Sequence, residues 1–105
     1  MTTHAVVDGA DASQLMVVVA AGTEIRPVPR WQENLALGLK LQVLLERTAP
    51  GITRYVNLRG SRFNQDLSPG AVLVEVGAAG DTHEKALNAA EVLAEAILAL
   101  KYGAN

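Results

Sequence analysis

Apolar and polar positions alternate along this chain with periods that change from segment to segment, and the changes mark the elements. Residues 14–21, Gln-Leu-Met-Val-Val-Val-Ala-Ala, carry apolar side chains at consecutive positions, as a central parallel strand covered on both faces does. Before it, residues 1–13 are small and mixed. Ala5-Val6-Val7 suits a short edge strand, and Asp8-Gly9 is a turn signal. Gly22 stops the central strand. Residues 23–29 then form a loop that Pro27 and Pro29 keep extended. A second strand is expected over 52–58, around Tyr55 and Val56, and a third over 71–76, Ala-Val-Leu-Val-Glu-Val. Between these two lies a loop, 59–70, closed by the turn signal Ser68-Pro69-Gly70.

Two stretches change to helical period. Residues 30–47 begin beside Pro29, where a missing N–H costs nothing, and end before Pro50-Gly51. On this helix Glu33, Lys40 and Arg47 form one narrow charged stripe. Leu35, Leu39 and Val43 flank it on one side, and Leu37, Leu41, Leu44 and Leu45 on the other. A surface helix usually has one apolar face. This one calls for cover on more than one side, from a second helix, a further part of the protein or a second copy in a homodimer. Residues 82–101 form the last helix. Asp81-Thr82-His83-Glu84 matches a capping box, with Asp81 accepting from the first free N–H groups and Glu84 reaching back. Leu87, Ala90, Leu93, Ala94, Ile97 and Leu98 are its expected core face, and Glu84, Asn88, Glu91 and Glu95 its wet face. Gly103 is its stop, in a tail of residues 102–105. The sequence therefore predicts one α/β domain over residues 1–105, a layered sandwich of three to four mainly parallel strands with two main helices.

One carboxylate stands out. Glu75 interrupts the apolar third strand near its C-terminal end, before the glycine-rich turn Gly77-Ala78-Ala79-Gly80. Ionised carboxylates are rarely buried without a partner, and the carboxyl ends of strands in an open α/β sheet are where ligands bind. Glu75 is thus a candidate acid/base group. Its alternative is a plain one: pairing with a nearby arginine, or facing water on an edge strand. Arg54, Arg59 and Arg62 precede that strand and could hold a ligand's carboxylate or phosphate, or pair with Asp66, Glu75 or Glu46.

Composition narrows the chemistry. In 105 residues, eleven acids against nine bases give a net charge of −2, which lacks the basic excess of a nucleic-acid footprint. There is no cysteine, so disulfides and thiolate zinc sites are excluded. No apolar run is long enough to span a bilayer, and no secretion signal is visible; a cytosolic protein or a piece of something larger is expected. The two histidines, His4 and His83, lie far apart in unlike contexts, with no ligand-spaced neighbour, so no metal site is expected from this chain. Ser61 and Ser68 sit in loops without a nucleophile elbow. The Gly77–Gly80 turn lacks the spacing and the lysine of a phosphate-binding loop, and tight turning explains it better.

Three segments carry a resemblance. Trp31-Gln32-Glu33-Asn34-Leu35-Ala36-Leu37, then FNQDLSPGAVLVEVG from Phe63 to Gly77 with Arg62 before it, then Asp81-Thr82-His83-Glu84-Lys85-Ala86, resemble the C-terminal half of stage II sporulation protein P. That family is similar to the zinc-dependent N-acetylmuramoyl-L-alanine amidases. The resemblance spans nearly the whole chain, from about Val7 to Leu100.

It implies a peptidoglycan hydrolase that cuts the amide between muramic acid and the stem peptide, and peptide cross-links as well. It implies zinc in the complete enzyme, which polarises the scissile carbonyl and activates water, and a glutamate, matched by Glu75, that carries the proton. An apolar setting raising that acid's pKa would suit the task. Arg62 and Asn64 fall in the loop motif and would shape the substrate groove. Implied partners are peptidoglycan and stage II sporulation proteins D and M, at a membrane-anchored position on the sporulation septum. The chain departs from the family in several places. The family's zinc ligands, two histidines and an acid, lie in an N-terminal half absent here, and so does its anchor. His4 is not in the expected His-Arg-Asp context, Asp81 replaces an asparagine, and His83 replaces an apolar residue. A fragment or shortened paralogue that is soluble and inactive alone is the expectation, with a metal-free α/β module binding cell wall or protein as the alternative.

Overall fold

The structure, a computed structural model, describes residues 4–68, 70–78 and 80–103, and of His4 the backbone only. Pro69 in the turn before the third strand, Ala79 in the Gly77–Gly80 turn and the last two tail residues lie outside the described residues. Strands β1 (His4–Val7) and β2 (Ala10–Ser13) form an antiparallel hairpin. Asp8 and Gly9 turn it with positive φ values of 50° and 80°, as the tight two-residue connection requires. The turn was legible in the sequence; β2 was not, because Ala-Asp-Ala-Ser has little strand propensity.

A second sheet has the order β4-β3-β5, with β3 (Leu15–Ala20) at its centre, β4 (Asn57–Arg59) and β5 (Leu73–Val76). β3 pairs in parallel with β4 and antiparallel with β5. The expectation of mainly parallel strands is thus corrected: the architecture is mixed α/β with two small sheets, and one parallel pair. The expected strand 52–58 is mostly extended loop. Thr53 makes one bridge to Leu15, and regular pairing begins at Asn57. The expected strand 71–76 shortens to four residues and lies at the sheet's edge, so Glu75 is not on a strand covered on both faces.

Helix α1 (Trp31–Thr48) lies on one face of this sheet. Gly38 lets it approach: a Cβ there would stand 3.1 Å from both Val17 Cγ1 and Val19 Cγ2. Leu41, Leu44 and Leu45 bury themselves with Leu15, Val17, Val19 and Ile52 in the core, whereas Leu39 and Val43 stay half-exposed. Cover thus comes on one side of α1 and not on the other. Helix α2 (His83–Tyr102) packs on β2 and α1. Its buried residues are Ala89, Val92 and Ala96, small enough for close approach, and Leu87, Ile97 and Leu98 of the expected core face are exposed. The helix is rotated from expectation because it packs on β2 as well as on α1, and β2 is the strand that sequence pattern did not disclose. Its N-cap is Thr82, whose Oγ1 accepts from the Lys85 N–H at 3.3 Å; Asp81 instead accepts from the Ala78 N–H at 2.9 Å, inside the preceding turn. The Cα envelope measures 45 × 34 × 17 Å, and among the described residues both helices lie on the Val17 and Val19 side of the β4-β3-β5 sheet, α1 directly and α2 through α1 and β2.

Candidate functional site

Register fixes what shares the helix-free face. Met16 lies opposite Glu75 and Ala20 opposite Arg59, and opposed residues point to the same side. Val17 and Val19 face α1, so Met16, Val18, Ala20, Arg59 and Glu75 belong to the other face. There Arg59 Nη1 donates to Glu75 Oε1 at 3.0 Å, and Arg59 Nε donates to Asn57 Oδ1 at 2.8 Å. The pair runs diagonally between strands on either side of β3 and crosses Val18, which is fully buried. Glu75 Oε2 makes no hydrogen bond among the described residues. The carboxylate is partly open, its side chain 41% exposed. The arginine partner and the edge strand offered as the plain alternative are both present.

The sheet end at which open α/β folds usually take ligands is elsewhere. The loops after β3 and β4, the parallel pair, meet at the carboxyl ends of those strands, the usual ligand position in open α/β sheets. They enclose a groove of about 530 Å³ lined by Arg26, Gly60, Ser61, Arg62, Phe63, Asn64 and Asp66. Arg62 and Asn64, both expected at a substrate groove, stand in it together. Glu75 is not among its walls. Because β5 runs antiparallel to β3, its C-terminal end points to the opposite end of the sheet, which removes the positional reason for expecting Glu75 at the ligand edge. The connection between carboxylate and groove is Arg59, the residue before Gly60.

The groove's loop is built rather than draped. Gln65, 2% exposed, replaces a strand: its Oε1 accepts from the Ala20 N–H at 2.8 Å and its Nε2 donates to the Val18 carbonyl at 3.1 Å, where a longer β5 would continue past Leu73. Asn34 of α1, fully buried, donates from Nδ2 to the Gln65 carbonyl at 3.0 Å and accepts at Oδ1 from the Ala71 N–H at 3.0 Å. These bonds hold the neighbouring Phe63 and Asn64 at positive φ, 48° and 60°. Asparagine tolerates that region; for phenylalanine it costs of order 1 kcal/mol or more. Arg62 Nη1 lies 3.6 Å from Asp66 Oδ2, a long and partly exposed pair. Arg26, Phe63, Gln65 and Asn34 carried no role in the sequence reading. The signal for the last three was there, since Phe63, Gln65 and Asn34 all sit inside the segments that carry the resemblance.

A second cavity, about 680 Å³, lies toward the other end of the sheet between Gln14, Met16, Gln42, Glu46 and the stretch from Thr53 to Asn57. Glu46 is held inside it. Partial burial works to raise its pKa, but hydrogen bonds from Thr53 Oγ1, the Gly51 N–H and the Thr53 N–H outweigh that and bring it below the usual value. Arg54 lines this cavity, far from the loop of Arg62. Zinc does not fit the described residues. No three His, Asp or Glu side chains come together among them, and the carboxylate of greatest interest already has a cation beside it. His83 is exposed in the first turn of α2, and the His4 side chain lies outside the described residues. Among the described residues, no helix is long and apolar enough to cross a membrane.

A thin α/β domain, with a polar groove at its parallel strand ends and an ion-paired carboxylate on its open face, is the scaffold that these residues define. The chain belongs to the stage II sporulation protein P family, whose model matches residues 1–98. That membership suggests a sporulation-related cell-wall hydrolase role. No curated protein and no solved structure matches the chain.

Proposed function

We propose that this chain is the glutamate-bearing part of a sporulation peptidoglycan amidase of the N-acetylmuramoyl-L-alanine type, with Glu75 as proton carrier and the groove of Arg62 and Asn64 receiving wall peptide. The observation that carries it is the family match over residues 1–98, which includes the FNQDLSPGAVLVEVG segment. The state of Glu75 supports it: one carboxylate oxygen is oriented by Arg59 and the other has no partner among the described residues. A positioned, accessible carboxylate is what proton transfer to or from a reacting group needs. Metal ligands are expected in the family's N-terminal half, so the role of Glu75 is proposed for the proton alone. By the same reading the complete enzyme works at the septal membrane with stage II sporulation proteins D and M, and cuts cross-links as well. Leu39 and Val43 of α1 are the surface through which a homodimer would form.

The test joins this chain to the zinc-ligand half of a family member and measures amide cleavage in purified peptidoglycan, with and without Glu75→Gln. Release by the wild-type assembly and none by the variant is expected. An active variant removes Glu75 from the chemistry. A second reading, a metal-free wall-binding module, is favoured by one observation: the groove at the strand ends does not include Glu75. Peptidoglycan retention by the chain alone, in chelator, together with no cleavage by the joined assembly, would favour it.

A further inference from the structure

We propose that the groove at the carboxyl ends of β3 and β4 is a recognition site for a short peptide bearing a free carboxylate, and that Arg26, with Arg62, is the residue that reads that carboxylate. This deepens the wall-peptide reading of the same groove and rests on it for biological context, though not for its physics.

The groove's charge is the first reason. The chain carries a net charge of −2, yet this groove gathers two guanidinium groups against one carboxylate, Asp66. Arg26 has no ion-pair partner among the described residues; its backbone N–H is tied to Thr23 Oγ1 at 3.0 Å, which fixes its loop and leaves its side chain uncommitted. Arg62 reaches Asp66 only at 3.6 Å, longer than the roughly 2.7–2.9 Å of a well-formed charge-assisted bond. A planar guanidinium matches a carboxylate bidentately, so an incoming carboxylate has two donors to recruit.

The loop's construction is the second reason. Phe63 is held at positive φ, the residue 43% exposed, by the buried bonds that fix Gln65 two residues on. Nothing in the core needs that ring: it is absent from the buried cluster. It instead forms an apolar wall beside the arginines, with Asn64 supplying an amide for a peptide group. A positive end, an apolar wall and an amide in one groove describe a peptide with a carboxylate next to an apolar side chain. They suit a nucleic acid poorly, since the chain as a whole carries a net charge of −2.

The experiment titrates the ¹⁵N-labelled 105-residue chain with the dipeptide Ala-Glu, with its fully amidated analogue and with inorganic phosphate. Saturable amide shifts confined to Arg26 and residues 60–66 are expected for Ala-Glu, at least tenfold weaker for the amidated peptide and for Arg26→Gln. Arg54→Gln, which removes an equal charge in the other cavity, is expected to bind as wild type. Equal binding of the two peptides, no loss in Arg26→Gln, an equal loss in Arg54→Gln, or saturation by phosphate alone would overturn the assignment. Binding is read without cleavage, so the two readings fail separately. Discrimination by a chain whose joined enzyme never cleaves wall refutes only the amidase. Cleavage without discrimination refutes only this site.

Discussion

Asn34 and Gln65 share one hydrogen bond, Nδ2 to backbone carbonyl at 3.0 Å, in a place sealed from solvent, and through it α1, the groove loop and β3 become one unit. Removing either amide strands buried partners. Gln65→Leu leaves the Ala20 N–H and the Val18 carbonyl unpaired, and each such orphan costs about 1–3 kcal/mol. Urea unfolding should register a loss of about 3 kcal/mol. In a double-mutant cycle, Asn34→Ala and Gln65→Ala should be non-additive by about 1 kcal/mol, as for residues in one network.

Glu75→Gln should separate stability from chemistry. The Arg59–Glu75 pair has side chains 35% and 41% exposed, and pairs so open contribute under about 1 kcal/mol. Denaturation midpoints should therefore barely move. In the joined assembly, amide release should fall by at least about 100-fold, the usual contribution of a positioned acid/base group.

Glu46 gives the chain an acid-sensitive tie between α1 and the turn that follows it. Its carboxyl is held below the ordinary 4.5 by hydrogen bonds from Thr53 and Gly51. The unfolded chain therefore binds more protons than the folded one between the two values. Its stabilising contribution is complete above about the ordinary value and disappears as pH falls through the lowered one. Glu46→Gln should flatten the stability profile below pH 4.5 while lowering stability at neutral pH by about 1 kcal/mol, measured by thermal melts across pH.

Gly77→Ala should be among the more damaging single-methyl changes. Gly77 has φ 70°, and a Cβ there would collide with the Asp81 carboxylate and with Ser13. Positive φ alone disfavours alanine by about 1 kcal/mol, and the collision adds to it. A loss of more than about 2 kcal/mol in chemical denaturation is expected. Gly38→Ala is the milder contrast: φ there is not positive, its Cβ would meet Val17 and Val19 at 3.1 Å and Val72 at 3.6 Å, and better helix propensity offsets part of the crowding.

Much of the chain could be read before its coordinates. Helices α1 and α2 fall within about one residue of expectation, since long amphipathic periods and their stops are local signals. The direction of β5 was not local. Ala-Val-Leu-Val-Glu-Val looks alike whether its strand runs with or against its neighbour, and only the register, from Leu15 with Val76 to Val18 with Leu73, reveals that it runs against. The same ambiguity hid that Glu75 stands on an antiparallel edge strand, whose end lies away from the groove that Arg62 and Asn64 line. The face of α2 was misjudged because Ala89, Val92 and Ala96 are weakly hydrophobic next to Leu87 and Leu98; close packing on β2 outweighed side-chain size. Asn34 and Gln65 were visible as letters in the sequence, but their joining depends on a chain reversal that no periodicity encodes.

A single carboxamide, rather than a row of peptide bonds, finishes the upper edge of β3. The amide proton of Ala20 is consequently a reporter for the groove: exchange with solvent deuterium requires that Gln65 let go, so its protection measures how firmly this one side chain holds the groove loop to the sheet.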